Sequence, residues 1–199
     1  MSARVDLVAL HAEEYAAGRA PRVVPTAPAR YLTLDGAGAI AGQDFLDQAI
    51  ALTGLLRQLR ARARRESGKD FRIPPLEALL GAPRAQGPGI DLHAPLPWKL
   101  LLRLPAFVRT ADLAALPEEL AGDGLPPARI EELREGRCIQ ALHVGPVAGV
   151  AGTVEKLRRA ATDQELAVRG RLHPIWLSGP ERTSPDKCRT IVRLPVKPR

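Results

Sequence analysis

From Gly42 onward, apolar residues recur at helical spacing: Phe45, Ala49, Leu52, Leu56 and Leu59 share one stripe, and Leu46, Ile50 and Leu55 widen it. The pattern predicts a long amphipathic helix laid against a sheet. Asp44 and Asp47 fall in its first turn, arginines crowd its last, and Gly68 follows as a terminator, as the helix dipole and left-handed capping favour. A shorter helix is predicted from Gly152, with Val154, Leu157 and Ala161 on one side and Glu155, Lys156, Arg158 and Arg159 on the other. Flanking segments alternate or run apolar at strand lengths, which gives strand, helix, strand, strand twice, with one extra strand ahead of the first. Thr110 is placed to cap a connecting helix over residues 110–122, with Leu113, Leu116 and Leu120 inward. Residues 81–97, rich in proline and glycine, read as an insertion loop with no counterpart of equal length in the second half.

The two patterns share more than their order. WKLLLRLP at 98–105 matches CRTIVRLP at 188–195, RIPPLEALLG at 72–81 matches RLHPIWLSG at 171–179, and YLTLDG at 31–36 matches QALHVG at 140–145. Three matched segments in one order imply a duplicated unit. The fold expected is α+β: two pseudo-symmetric modules forming a mainly antiparallel sheet within one domain over 1–199, with halves at 21–107 and 129–198.

Composition narrows the chemistry. The 199 residues are 45% apolar but only 4% aromatic, so the core must be largely aliphatic and each aromatic position is informative. The net charge of +7 makes polyanions possible partners, and Arg57, Arg60, Arg62, Arg64 and Arg65 form the densest basic cluster. No recognised nucleic-acid module accompanies that cluster, so a solvated helix end is the favoured reading and a basic nucleic-acid-associated protein the secondary one. Cys138 and Cys188 lack metal-ligand or disulfide-framework spacing, and no signal peptide or membrane-spanning apolar run occurs. A cytoplasmic protein with reduced thiols and neither metal nor cofactor is expected.

Few motifs carry chemistry. GAGAIAG at 36–42 is spaced GxGxxxG, unlike a dinucleotide fingerprint, and reads as a tight strand-to-helix turn. His143 and His173 fall in matched strand regions and read as hydrogen-bonded strand histidines; Glu13 and Glu14, and Glu131 and Glu132, read as exposed faces. Glu77 differs, because it lies within the apolar run PPLEALL, where a carboxylate needs a cation, a donor or a ligand beside it. The duplicated alignment pairs it with Trp176. A carboxylate facing an aromatic ring suits a flat apolar or cationic ligand, so Glu77, Trp98 and Trp176 are expected to surround one ligand volume, with Tyr31 and Leu100 as wall residues.

The segments YLTLDGAG, IPPLEAL, EGRCIQALHVGP and LSGPERTSPDKCRTIVRLPV together resemble the GyrI-like small-molecule-binding family, in particular its stand-alone branch. The resemblance implies two strand-helix-strand-strand modules about a pseudo-two-fold axis with a ligand cleft between them; related domains bind effectors in multidrug-responsive regulators. Part of that branch hydrolyses the cyclopropane ring of DNA-alkylating natural products with a glutamate and a tyrosine, in a strand reading H-E-I-Y-L. This chain has His173, Pro174, Ile175, Trp176 and Leu177 there, so both reactive groups are replaced. A binding or sequestering protein for hydrophobic or cationic small molecules is therefore expected. Ring-opening hydrolysis, with Glu77 as its candidate catalytic residue, is the alternative.

Overall fold

The computed structural model of the chain describes residues 4–40, 42–81, 94–116, 127–178 and 183–199. Its centre is a nine-stranded sheet. Eight strands follow the order β1-β6-β9-β8-β3-β4-β2-β5, and β7 pairs with β9 off that path; every paired strand runs antiparallel. The strands are β1 (Arg22–Pro25), β2 (Ala29–Gly38), β3 (Leu76–Leu80), β4 (Leu96–Arg103), β5 (Arg129–Leu133), β6 (Arg137–Val144), β7 (Leu166–Val168), β8 (His173–Trp176) and β9 (Arg189–Pro198). The order is palindromic about the β3–β8 junction: β2, β4 and β3 on one side mirror β6, β9 and β8 on the other. The outermost strands are exchanged, since β1 leaves the first half to pair with β6 and β5 pairs with β2.

Two helices cover one face. The first, α3 (Gln43–Ser67), begins at Gly42 and ends on Gly68, whose φ of 66° is the left-handed conformation that glycine adopts without strain. Phe45, Ala49, Leu52, Leu55, Leu56 and Leu59 point into the core as expected, but Leu46 and Ile50 face solvent and do not widen the stripe. At about 100° per residue the buried positions span the arc from Leu55 to Ala49, and Leu46 and Ile50 fall beyond its edge. The second, α5 (Val150–Asp163), buries Val150, Val154, Leu157 and Ala161. Between the halves the described part of the connector is α4 (Thr110–Ala114), capped at Arg109 rather than at Thr110. The rest of the expected 110–122 helix beyond Leu116, and most of the 81–97 insertion, lie outside the described residues. No helix among the described residues is long and apolar enough to cross a membrane.

Gly36 and Gly38 are not in a strand-to-helix turn but inside β2. Gly36 lies opposite Trp98 on β4, and a Cβ there would meet the indole at 2.1 Å, so the missing side chain is what lets the ring lie across the strand. Two further short helices, α1 (Leu7–Leu10) and α2 (Ala12–Tyr15), precede the sheet. They pack on the face opposite α3 and α5, where Val8, Tyr15 and Ala17 cover Leu142, Ile175, Leu177 and Ile191.

Candidate functional site

Strand register decides which expected site residues can meet. Tyr31 pairs with Arg103 and Gln140 with Arg193, so the YLTLDG/QALHVG and RLP matches hold together: Tyr31 corresponds to Gln140, and Arg103 to Arg193. In the same frame the Glu77–Leu101 pair corresponds to Ile175–Ile191. The counterpart of Glu77 is thus Ile175, not Trp176. One residue of slip changes the face of the sheet. Trp176 lies opposite Leu76 and Trp98 opposite Leu80, and both indoles pack edge-on against Phe45 of α3, at 5.8 and 5.2 Å between ring centroids. Leu100 belongs to the same helix-covered core. The structure therefore keeps Trp98, Trp176 and Leu100 together on the helix face and puts Glu77 with Tyr31 on the other.

On that other face lies a chain of buried polar side chains. Glu77 is fully buried, and its carboxylate accepts from the Tyr15 hydroxyl at 2.6 Å and from His173 Nε2 at 2.8 Å. His173 Nδ1 donates to Glu135 at 2.8 Å, and Arg193 Nη1 lies 3.7 Å from the same carboxylate oxygen. Arg193 continues the network by donating Nε to Gln140 at 2.9 Å and Nη2 to the Glu14 carbonyl at 2.6 Å. Arg103 Nη1 donates to the Glu14 carboxylate at 2.9 Å, and its guanidinium lies 5.7 Å from the centre of the Tyr15 ring. Glu14, expected on an exposed face, is buried because α2 turns it inward onto Arg103.

The charges are arranged to cancel. Both ring nitrogens of His173 face carboxylates, which accept but do not donate when ionised, so the ring is held as imidazolium. Three carboxylates, Glu14, Glu77 and Glu135, then balance Arg103, Arg193 and His173. Burial alone would lower the His173 pKa, but the charge of Glu135 and the bonds to Glu135 and Glu77 raise it to about 9. Burial pushes the Glu135 carboxyl up, yet His173 and Arg193 outweigh it and hold the group below its ordinary value. Tyr15 and Tyr31 titrate well above an ordinary phenol, first through burial and then through the charge of Glu77. The donor that Glu77 demanded is thus internal.

Sequence reading found Glu77 and Tyr31 but missed Tyr15, Glu14, Arg103, Glu135 and Arg193. Only the repeat pointed to part of this set, because RLP places an arginine at both 103 and 193, each directly after an apolar run. His143 and His173 do not approach each other as partners; His143 bonds to Thr153 and to the Pro146 carbonyl. Beside the network, a pocket of about 70 Å³ opens between Tyr31, Thr33, Leu79, Leu101 and Leu133, with Lys99, Glu131 and Arg171 at its edge. A larger surface pocket, about 460 Å³, lies against the end of α3 and Phe107, remote from these groups.

No protein-family model matches this chain, and no curated protein matches it. Solved structures do. An uncharacterized conserved protein from Listeria innocua is 26% identical with a TM-score of 0.83, over 98% of this chain and 100% of that one. A hydrolase from Listeria innocua is 25% identical with a TM-score of 0.81 over the same shares. The C-terminal domain of EcmrR, 8% identical with a TM-score of 0.58 over 90% of this chain and 97% of that one, shares the fold.

Proposed function

We propose that this protein is a GyrI-like small-molecule-binding protein that holds flat hydrophobic compounds on the network face of its sheet. The observation that carries the reading is the pocket between Tyr31, Leu79 and Leu101: a space of about 70 Å³ with an apolar floor beside the buried polar network. Tyr31 is then a wall residue and Glu77 a group beneath the wall that fixes Tyr15. The preference for cations expected from Glu77 loses its carrier, since the carboxylate already neutralises His173. Titration calorimetry with planar aromatic compounds tests the reading. Placing an arginine at the rim with Leu133→Arg should weaken binding at least tenfold, and unchanged affinity there would show that the site lies elsewhere.

Ring-opening hydrolysis stands second, favoured by the 2.6 Å phenol–carboxylate contact of Tyr15 and Glu77 and by the label hydrolase on a Listeria innocua relative. Pro174 and Trp176 supply neither a base nor a phenol, and Glu77 is too buried to touch a substrate. Incubation with a cyclopropane-bearing alkylator, followed by mass, should show no turnover. The nucleic-acid reading weakens for a separate reason: Arg60 and Arg64 lie against Asp70, and Arg62 against Glu66.

A further inference from the structure

The two halves of the network face are floored alike. In the second half, Val8, Tyr15 and Ala17 cover Leu142, Leu177 and Ile191. The positions that correspond to these three in the first half are Thr33, Leu79 and Leu101, which are buried and line the pocket of about 70 Å³. On the second-half floor the N-terminal segment sets an apolar body with a polar end, Tyr15, while the first-half floor borders a pocket of about 70 Å³ with similar lining.

Charge at the rim says which polar end suits that pocket. Lys99 pairs with Glu131, and Glu132 with Arg134. Arg171 also lines the pocket, half-buried, and among the described residues no hydrogen bond or ion pair engages its guanidinium. Burial lowers the pKa of Arg171 while the charges of Asp35, Glu131 and Glu135 act in the opposite direction, and a guanidinium keeps its charge throughout. A half-buried cation at the edge of a cavity that no described residue hydrogen-bonds costs free energy that an incoming acceptor recovers.

We propose that this pocket takes a small aromatic carboxylate, its ring against Tyr31, Leu79 and Leu101 and its carboxylate received by Arg171. The inference rests on the small-molecule reading of this face and narrows it to anions. The pocket is large enough for about five water molecules, hence for one six-membered ring with a small substituent. A carboxylate matches the planar fork of arginine with two parallel hydrogen bonds, which a primary ammonium would not reproduce.

Chemical-shift titrations at pH 7 with benzoate, benzamide and benzylammonium test it on the intact chain. Benzoate should bind about tenfold or more tighter than benzamide, moving the amide signals of Tyr31, Leu79 and Leu101 and the Nε–H signal of Arg171. Arg171→Gln should remove that advantage and leave benzamide unchanged, while Arg171→Lys restores part of it. Benzoate affinity equal in wild type and Arg171→Gln, or benzylammonium as the tightest ligand, would overturn the assignment to Arg171 and leave the pocket intact. No movement of those three amides with any of the three probes would overturn both the assignment and the binding reading. Should Arg171→Gln fold poorly, the ranking of the three probes on wild-type protein decides.

Discussion

His173 is the residue on which the buried network turns. Its folded pKa of about 9 lies above the ordinary 6.5, so the stabilisation from its charged form is complete below about pH 6.5 and is lost as pH rises through 9. Glu135, held below its ordinary value, acts on the acid side: its contribution is present above that ordinary value and falls away as pH drops. Stability should therefore be greatest in mildly acidic solution and decline between about pH 6.5 and 9 by about 3 kcal/mol, the size that such a shift implies. Urea midpoints across that range measure it. His173→Gln should flatten the alkaline decline while costing about 3–5 kcal/mol at pH 6, because two buried carboxylates lose their cation. A wild-type midpoint that does not change from pH 6.5 to 9 would mean that His173 is neutral and that a proton sits on Glu77 or Glu135 instead.

At the scale of elements, what the sequence made legible was what repeats over many residues. The stripe from Phe45 to Leu59 spans four turns, and its period alone places α3; the strands around Leu101 and Ile191 show through their matched RLP endings. The four-residue helices α1 and α2 are too short for any period to register, so Glu14 looked like surface and Tyr15 drew no reading, although both are keys to the polar face. The face of Trp176 was misread for a related reason. Short apolar strands carry no alternation that fixes register, and a one-residue gap in the match from Arg72 to Gly81 moved Glu77 onto the wrong partner. Gly36 is a milder instance: a glycine near a helix start reads as a turn, whereas β2 uses it to admit the Trp98 ring. Gly36→Ala should accordingly destabilise the fold by about 1–3 kcal/mol or more through overpacking, with little effect on ligands of the opposite face. An unfolding midpoint equal to wild type would show that the Trp98 ring moves aside freely.

At the scale of the molecule, the palindromic strand order presents two matched surfaces on the network face, and a small pocket lies beside one of them. Each half builds a floor from the same strand positions, and each places a buried arginine, Arg103 or Arg193, at the matching point; α1 and α2 pack on the second half, setting Glu14 between these arginines and Tyr15 over Ile175 and Ile191. If the covered surface is a half-site that the chain itself occupies, the space under Tyr15 is of a ligand's shape. Tyr15→Ala should cost about 3–5 kcal/mol, as removal of a large buried side chain does. The same variant should also gain a response that wild type lacks: millimolar benzyl alcohol, a ring bearing a hydroxyl like the one removed, should raise its unfolding midpoint, by about 1.4 kcal/mol at ten times the dissociation constant. Thermal unfolding with and without benzyl alcohol, wild type beside variant, decides the matter. An equal response in both proteins would mean that the space closes when Tyr15 is removed, and that the two floors match in sequence position without matching in shape.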